Sequence, residues 1–140
     1  MKQINTRLFP SILATALLLV SSGSAIAGVV AIVNKANTAA DKATIGKLYT
    51  GEAKSWSDGT QAKLFDISGE AEREAFCKAY TGKSAGAIKA TWAQAVFSGR
   101  GVPPKILESD DDVKSEVAKD KNAVGYVDES SVDGSVRAVH

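Results

Sequence analysis

The stretch from Ala62 to Tyr80, AKLFDISGEAEREAFCKAY, does most to limit how this chain can fold. A short apolar run breaks at Ser68-Gly69 and restarts with helical spacing, which predicts a strand, a tight turn and a helix. Ala71, Ala75, Phe76, Ala79 and Tyr80 recur at i, i+4, i+5, i+8 and i+9 and read as one apolar stripe. Glu72, Arg73, Glu74 and Lys78 then fall on the other side, with Glu74 and Lys78 as an i,i+4 pair. A helix that starts just after a glycine turn presents free N–H groups and the positive end of its dipole, which suits an anion. Ser68, Gly69, Glu70, Ala71, Glu72 and Arg73 are therefore the candidate ligand-binding residues.

Upstream, Val29–Val33 (VVAIV) is a continuous β-branched run that predicts a strand buried on both faces and central in a sheet. Asp41 is the expected N-cap of a short helix carrying Ile45, Leu48 and Tyr49 and ended by Gly51. Gly46 inside it costs about 1 kcal/mol relative to alanine, so that helix should depend on tertiary packing. Ser55–Gly59 has turn chemistry around Trp56, whose ring is expected at the core rim. Downstream, Gly82 should close one helix and Ser84 cap the next, with Ile88, Trp92, Ala95 and Val96 on its apolar face. Gly99-Arg100-Gly101-Val102-Pro103-Pro104 reads as a loop, with Arg100 a solvated charge. Ser109 before Asp110, Asp111 and Asp112 marks a helix start, and strands are expected at Val124–Val127 and Val136–Val139.

The predicted order β-α-β-α-α-α-β-β implies an α/β three-layer sandwich with a mostly parallel sheet. The first 27 residues read as an export signal. Lys2 and Arg7 precede the apolar stretch Leu8–Val20, and Ala25-Ile26-Ala27 is an A-x-A site that leaves Gly28 as the new N-terminus. The expected organisation is thus a signal peptide over 1–27 and one domain over 28–140, periplasmic and not membrane-anchored after cleavage. Losing Lys2 and Arg7 leaves 15 basic against 16 acidic side chains, a net charge of −1, which argues against nucleic acid as a partner.

Cys77 is the only cysteine, so no intramolecular disulfide can form, and its place beside Phe76 reads as a buried, inert thiol. The only histidine is His140. Histidine acid–base chemistry and a His-rich metal site are not expected, no nucleophile–base pair is visible, and Ser68 near Asp66 reads as turn and cap chemistry. The sequence therefore points to a protein that is not an enzyme and carries no cofactor.

Val29–Asn34, Leu48-Tyr49-Thr50-Gly51, Trp56-Ser57-Asp58-Gly59, Arg73-Glu74-Ala75-Phe76 and Gly125-Tyr126-Val127-Asp128 resemble, in order and spacing, the periplasmic phosphate-binding proteins of ABC transporters. The resemblance covers nearly all of 28–140 but about half of a two-lobed binding protein. It implies one lobe of a type II periplasmic binding protein and a transport role. The partners it implies are phosphate or another small ligand, and a transporter permease or another periplasmic protein. It also implies what has changed. The family's second anion loop reads Gly-Ser-Gly-Thr-Arg-Glu-Ala-Phe, with an arginine three residues before its first glycine. Here Gly69 is kept, while Glu70, Ala71 and Glu72 stand at the serine, glycine and threonine positions and Asp66 at the arginine position. Carboxylates within about 4 Å of a phosphate would oppose it by some kcal/mol at an effective dielectric near 20. A protein-interaction or sensory module without a small-molecule ligand is the alternative reading.

Overall fold

The β-branched run, the three capped helical segments and the short C-terminal apolar runs all appear as elements of a computed structural model, which describes residues 28–140. The signal-peptide expectation over 1–27 lies outside the described residues. Strands β1 (Val29–Val33), β2 (Lys63–Ile67), β3 (Lys105–Leu107), β4 (Ala123–Asp128) and β5 (Arg137–Val139) form one sheet in the order β3-β2-β4-β1-β5. β2 runs parallel to β3 and β4, and β1 is antiparallel to both β4 and β5. Four strands therefore share one direction and β1 opposes them, so the sheet is mostly parallel. β1 is interior and buried, but the middle position belongs to β4.

Helices α1 (Lys42–Thr50), α2 (Glu70–Thr81) and α3 (Ala85–Phe97) cover one face, and α4 (Asp110–Lys119) covers the other. Alternation along the strands builds both cores. Ala31, Val33, Val124 and Tyr126 pack toward α1 and α2, while Val30, Ile32 and Val127 pack toward Val113 and Val117 of α4. This is the expected three-layer arrangement.

The caps follow the sequence. Asp41, Ser84 and Ser109 each accept a hydrogen bond from the third residue beyond, and Gly51 and Gly82 end their helices at φ 78° and 71°. α4 has no glycine cap; the Asn34 side-chain amide from the end of β1 donates to its Val117 and Ala118 carbonyls at 3.0 Å. Gly46 has a packing reason: a Cβ there would lie 2.3 Å from the Tyr80 carbonyl oxygen, so the glycine lets α1 lie against α2.

Four expectations need correction, the first being Trp56, whose ring is buried in the core and not at its rim. α2 is rotated relative to the predicted stripe, because Ala71 and Ala79 are exposed while Arg73, Phe76, Cys77 and Tyr80 face inward at i, i+3, i+4 and i+7. Val96 of α3 is exposed rather than packed. β3 was not expected at all. It is three residues long with two exposed side chains, and pairing with β2 is what makes it a strand.

Candidate functional site

β2 delivers Asp66 as its penultimate residue, the chain turns at Ser68-Gly69, and α2 begins at Glu70. Ser68 continues the β2–β3 pairing through its N–H to the Leu107 carbonyl at 3.0 Å, and its exposed side chain does not cap α2. The N-cap is Gly69, which has no side chain to accept from the first turn. No side chain caps the first turn by a hydrogen bond, but Glu72 supplies a negative charge there. Its carboxylate folds back over the helix start, with Oε2 2.6 Å from where a Cβ on Gly69 would lie. An acidic group in the first turn satisfies the positive end of the helix dipole, so the position an external anion would use carries a fixed one. Glu70 and Ala71 are exposed beside it.

Arg73 turns away from the loop mouth and into the protein. Its Nε donates to Asp66 Oδ1 at 3.3 Å and its Nη2 to the Ile67 carbonyl at 2.8 Å. The same Asp66 oxygen accepts the Ile67 N–H at 2.8 Å and the Tyr126 hydroxyl from the middle strand β4. Both partners of the ion pair are about one-fifth exposed, Arg73 at 21% and Asp66 at 20%. Burial works against the Arg73 cation, but the Asp66 carboxylate and the Tyr126 hydroxyl outweigh it and raise its pKa. Burial first, then the Asp66 charge, pushes the Tyr126 hydroxyl far above its usual range. These groups border a cavity of about 180 Å³ that also touches Cys77, Ile88 and Trp92.

The six loop residues are thus brought together at one turn, but Arg73 is separated from the rest by its bond to Asp66. Tyr126 is the member that sequence reasoning did not place here. Its signal in the sequence was its place in the Gly125-Tyr126-Val127-Asp128 motif, which does not point to Asp66, and a side chain 60 positions from Asp66 becomes its partner only through sheet order. Glu74 also does more than pair with Lys78 at 3.3 Å, since Oε2 accepts the Ala85 N–H at 2.7 Å and ties α2 to the start of α3. Among the described residues no three His, Cys, Asp or Glu side chains converge as metal ligands.

No family model and no curated protein matches this chain. Solved structures do. A phosphate ABC transporter substrate-binding protein from Clostridium perfringens, described with bound phosphate, superposes with TM-score 0.59 at 23% identity over 80% of this chain. The fold is that of one lobe of a phosphate-binding protein. An ABC-type phosphate transport receptor from Vibrio cholerae (TM-score 0.52, 21% identity) and a possible phosphate-binding protein from Planctomyces limnophilus (TM-score 0.57, 17% identity) align over the same share. The chain spans 44%, 45% and 40% of these proteins, less than half of each. The expectation of a single lobe of this fold is met.

Cys77 lies on the buried face of α2. Burial pushes its thiol up to about 11, with the Asp66 and Glu74 carboxylates adding to the effect. The folded thiol keeps its proton to about 11 while the unfolded one ionises near 9.0, so this contribution to stability is complete below pH 9 and is lost as pH rises toward 11. Two results are expected. Labelling at pH 8 should be at least about tenfold slower in the native protein than in denaturant, and Cys77→Ala should flatten the fall in stability above pH 9 seen in urea titrations. Equal labelling rates would contradict the burial.

Proposed function

We propose that this chain is an exported, non-enzymatic solute-binding-type lobe built on the phosphate-transporter fold, in which the Ser68–Arg73 loop no longer holds phosphate. Cleavage after Ala27 would release it into the periplasm, where an ABC transporter permease is the kind of partner its relatives' fold suggests. The observation that carries the reading is the state of the loop: the α2 N-terminus has the Glu72 carboxylate folded over it, and the loop's one cation, Arg73, is committed to Asp66. Exported protein whose intact mass starts at Gly28 is the material for the test. Isothermal titration should give no phosphate binding in the micromolar range for this protein. Glu70→Ser with Glu72→Thr should improve binding by about tenfold, by removing two charges and adding two hydroxyl donors. Micromolar binding by the unsubstituted protein would sink the proposal.

A protein-interaction or sensory role without a small-molecule ligand is a second reading, and one observation favours it. Phe97 is 95% exposed, Val102 86%, Ile106 55% and Val96 49% around the end of α3 and the outer strand β3. Apolar side chains gathered at one edge are a feature of interaction surfaces. A thermal-shift screen of oxyanions and cations separates the two readings: a ligand-dependent shift counts for the first, and a flat screen for the second.

A further inference from the structure

A larger groove lies at the other end of β2 from the Ser68–Arg73 loop. It has a volume of about 940 Å³, within the range of small-molecule sites. Its walls come from the end of α1, the start of β2, the middle of α3 and the loop after α3. Leu64, Trp92, Ala95 and Val102 make it apolar. Trp92 is anchored by its indole N–H donating to the Tyr49 carbonyl at 2.8 Å, and the loop passes close over the ring, since a Cβ on Gly101 would sit 3.3 Å from Trp92 Cζ3.

The charges in this groove are of one sign. Lys54, Lys63 and Arg100 line it, and no acidic side chain does. Lys63 is held 4.0 Å from Asp120, but among the described residues neither Lys54 nor Arg100 forms an ion pair. Lys54 Nζ instead donates to the Arg100 carbonyl at 2.8 Å, which fixes the loop and holds an ammonium without a counter-charge at the groove. In a near-neutral protein, two cations without carboxylate partners beside a wall of indole and aliphatic carbon form a complementary surface for a negative head group joined to an apolar body.

We infer that the groove between α1, α3 and the Gly99–Val102 loop binds an organic anion with an apolar body, the head group meeting Lys54 and Arg100 and the body lying against Trp92 and Leu64. This site is separate from the loop at the far end of β2, so the phosphate titration and the experiment below can fail independently.

The probe is laurate below its micelle concentration, titrated into the mature protein and compared with dodecyltrimethylammonium, which has the same chain and the opposite charge. Laurate should bind, weaken with salt, and shift the amide signals of Trp92 and Gly101. Lys54→Gln with Arg100→Gln should weaken it about tenfold. Both side chains are exposed, and circular dichroism will confirm that the variant is folded. The cationic amphiphile should bind at least about tenfold more weakly than laurate. Equal binding of the two, no effect of the double substitution in a folded variant, or no laurate binding would each overturn the inference.

Discussion

Replacing Phe76 with alanine is expected to lower the free energy of unfolding by about 3–5 kcal/mol, the usual cost of removing a fully buried phenylalanine. Phe76 is fully buried at the centre of an aromatic group that joins α2 to the sheet and to α1. Its ring stacks on Tyr126 of β4 at 4.0 Å between centroids and 6° between planes, and on Tyr80 at 4.7 Å and 22°. Tyr49 of α1 meets it edge-on at 4.7 Å and 71°. The neighbours cannot close over the gap. Tyr49 is held by its hydroxyl donating to the Phe65 carbonyl at 2.6 Å, and Tyr80 by accepting the Ala31 N–H at 3.0 Å. A domain of this size has about 5–15 kcal/mol in total, so the variant should be close to unfolding at 37 °C. Urea denaturation followed by tryptophan fluorescence measures it, and a loss below about 1 kcal/mol would show that these rings do not act as the hinge of the core.

The second large effect is at Asp66. Asp66→Asn should cost about 2 kcal/mol, and it should also release Arg73. One carboxylate oxygen accepts from the Ile67 N–H, the Arg73 guanidinium and the Tyr126 hydroxyl, and a neutral amide keeps the acceptor but loses the charge that holds the cation. Breaking a fully buried pair costs about 3–5 kcal/mol, and partial exposure of both groups reduces that figure. Arg73→Gln in a double-mutant cycle isolates the pair. A coupling energy below about 0.5 kcal/mol would mean that the bridge contributes no more than an ordinary surface pair. Stronger phosphate binding by Asp66→Asn than by the parent is the functional consequence, since the freed guanidinium is the loop's one cation.

The misread parts of the chain share a cause. On α2, Ala71 and Ala79 fit an apolar spacing that leaves every charge to water. Arg73 instead belongs to the inward set with Phe76, Cys77 and Tyr80, since a guanidinium can be buried once a carboxylate on the neighbouring strand receives it. Val96 completed an apolar spacing on α3, yet its side chain is half exposed. β3 carries little pattern in three residues after Pro103-Pro104, and its existence depends on hydrogen bonds offered by β2.

What the sequence determined by itself was local. Asp41, Ser84 and Ser109 satisfy N–H groups within their own first turns, and Gly51 and Gly82 take left-handed backbone that few other residues adopt, so helix limits were legible without the fold. The β-branched run of β1 and the strand-turn-helix from Ala62 to Tyr80 were legible for the same reason, because their periods reflect backbone geometry. Tertiary structure decided everything that depends on residues distant in sequence. The Asp66–Arg73–Tyr126 cluster requires β4 to pair beside β2, and the groove around Trp92 requires four separate segments to meet. Such sites are made by long-range packing and by the pairing of charges across elements, and neither leaves a period in the chain.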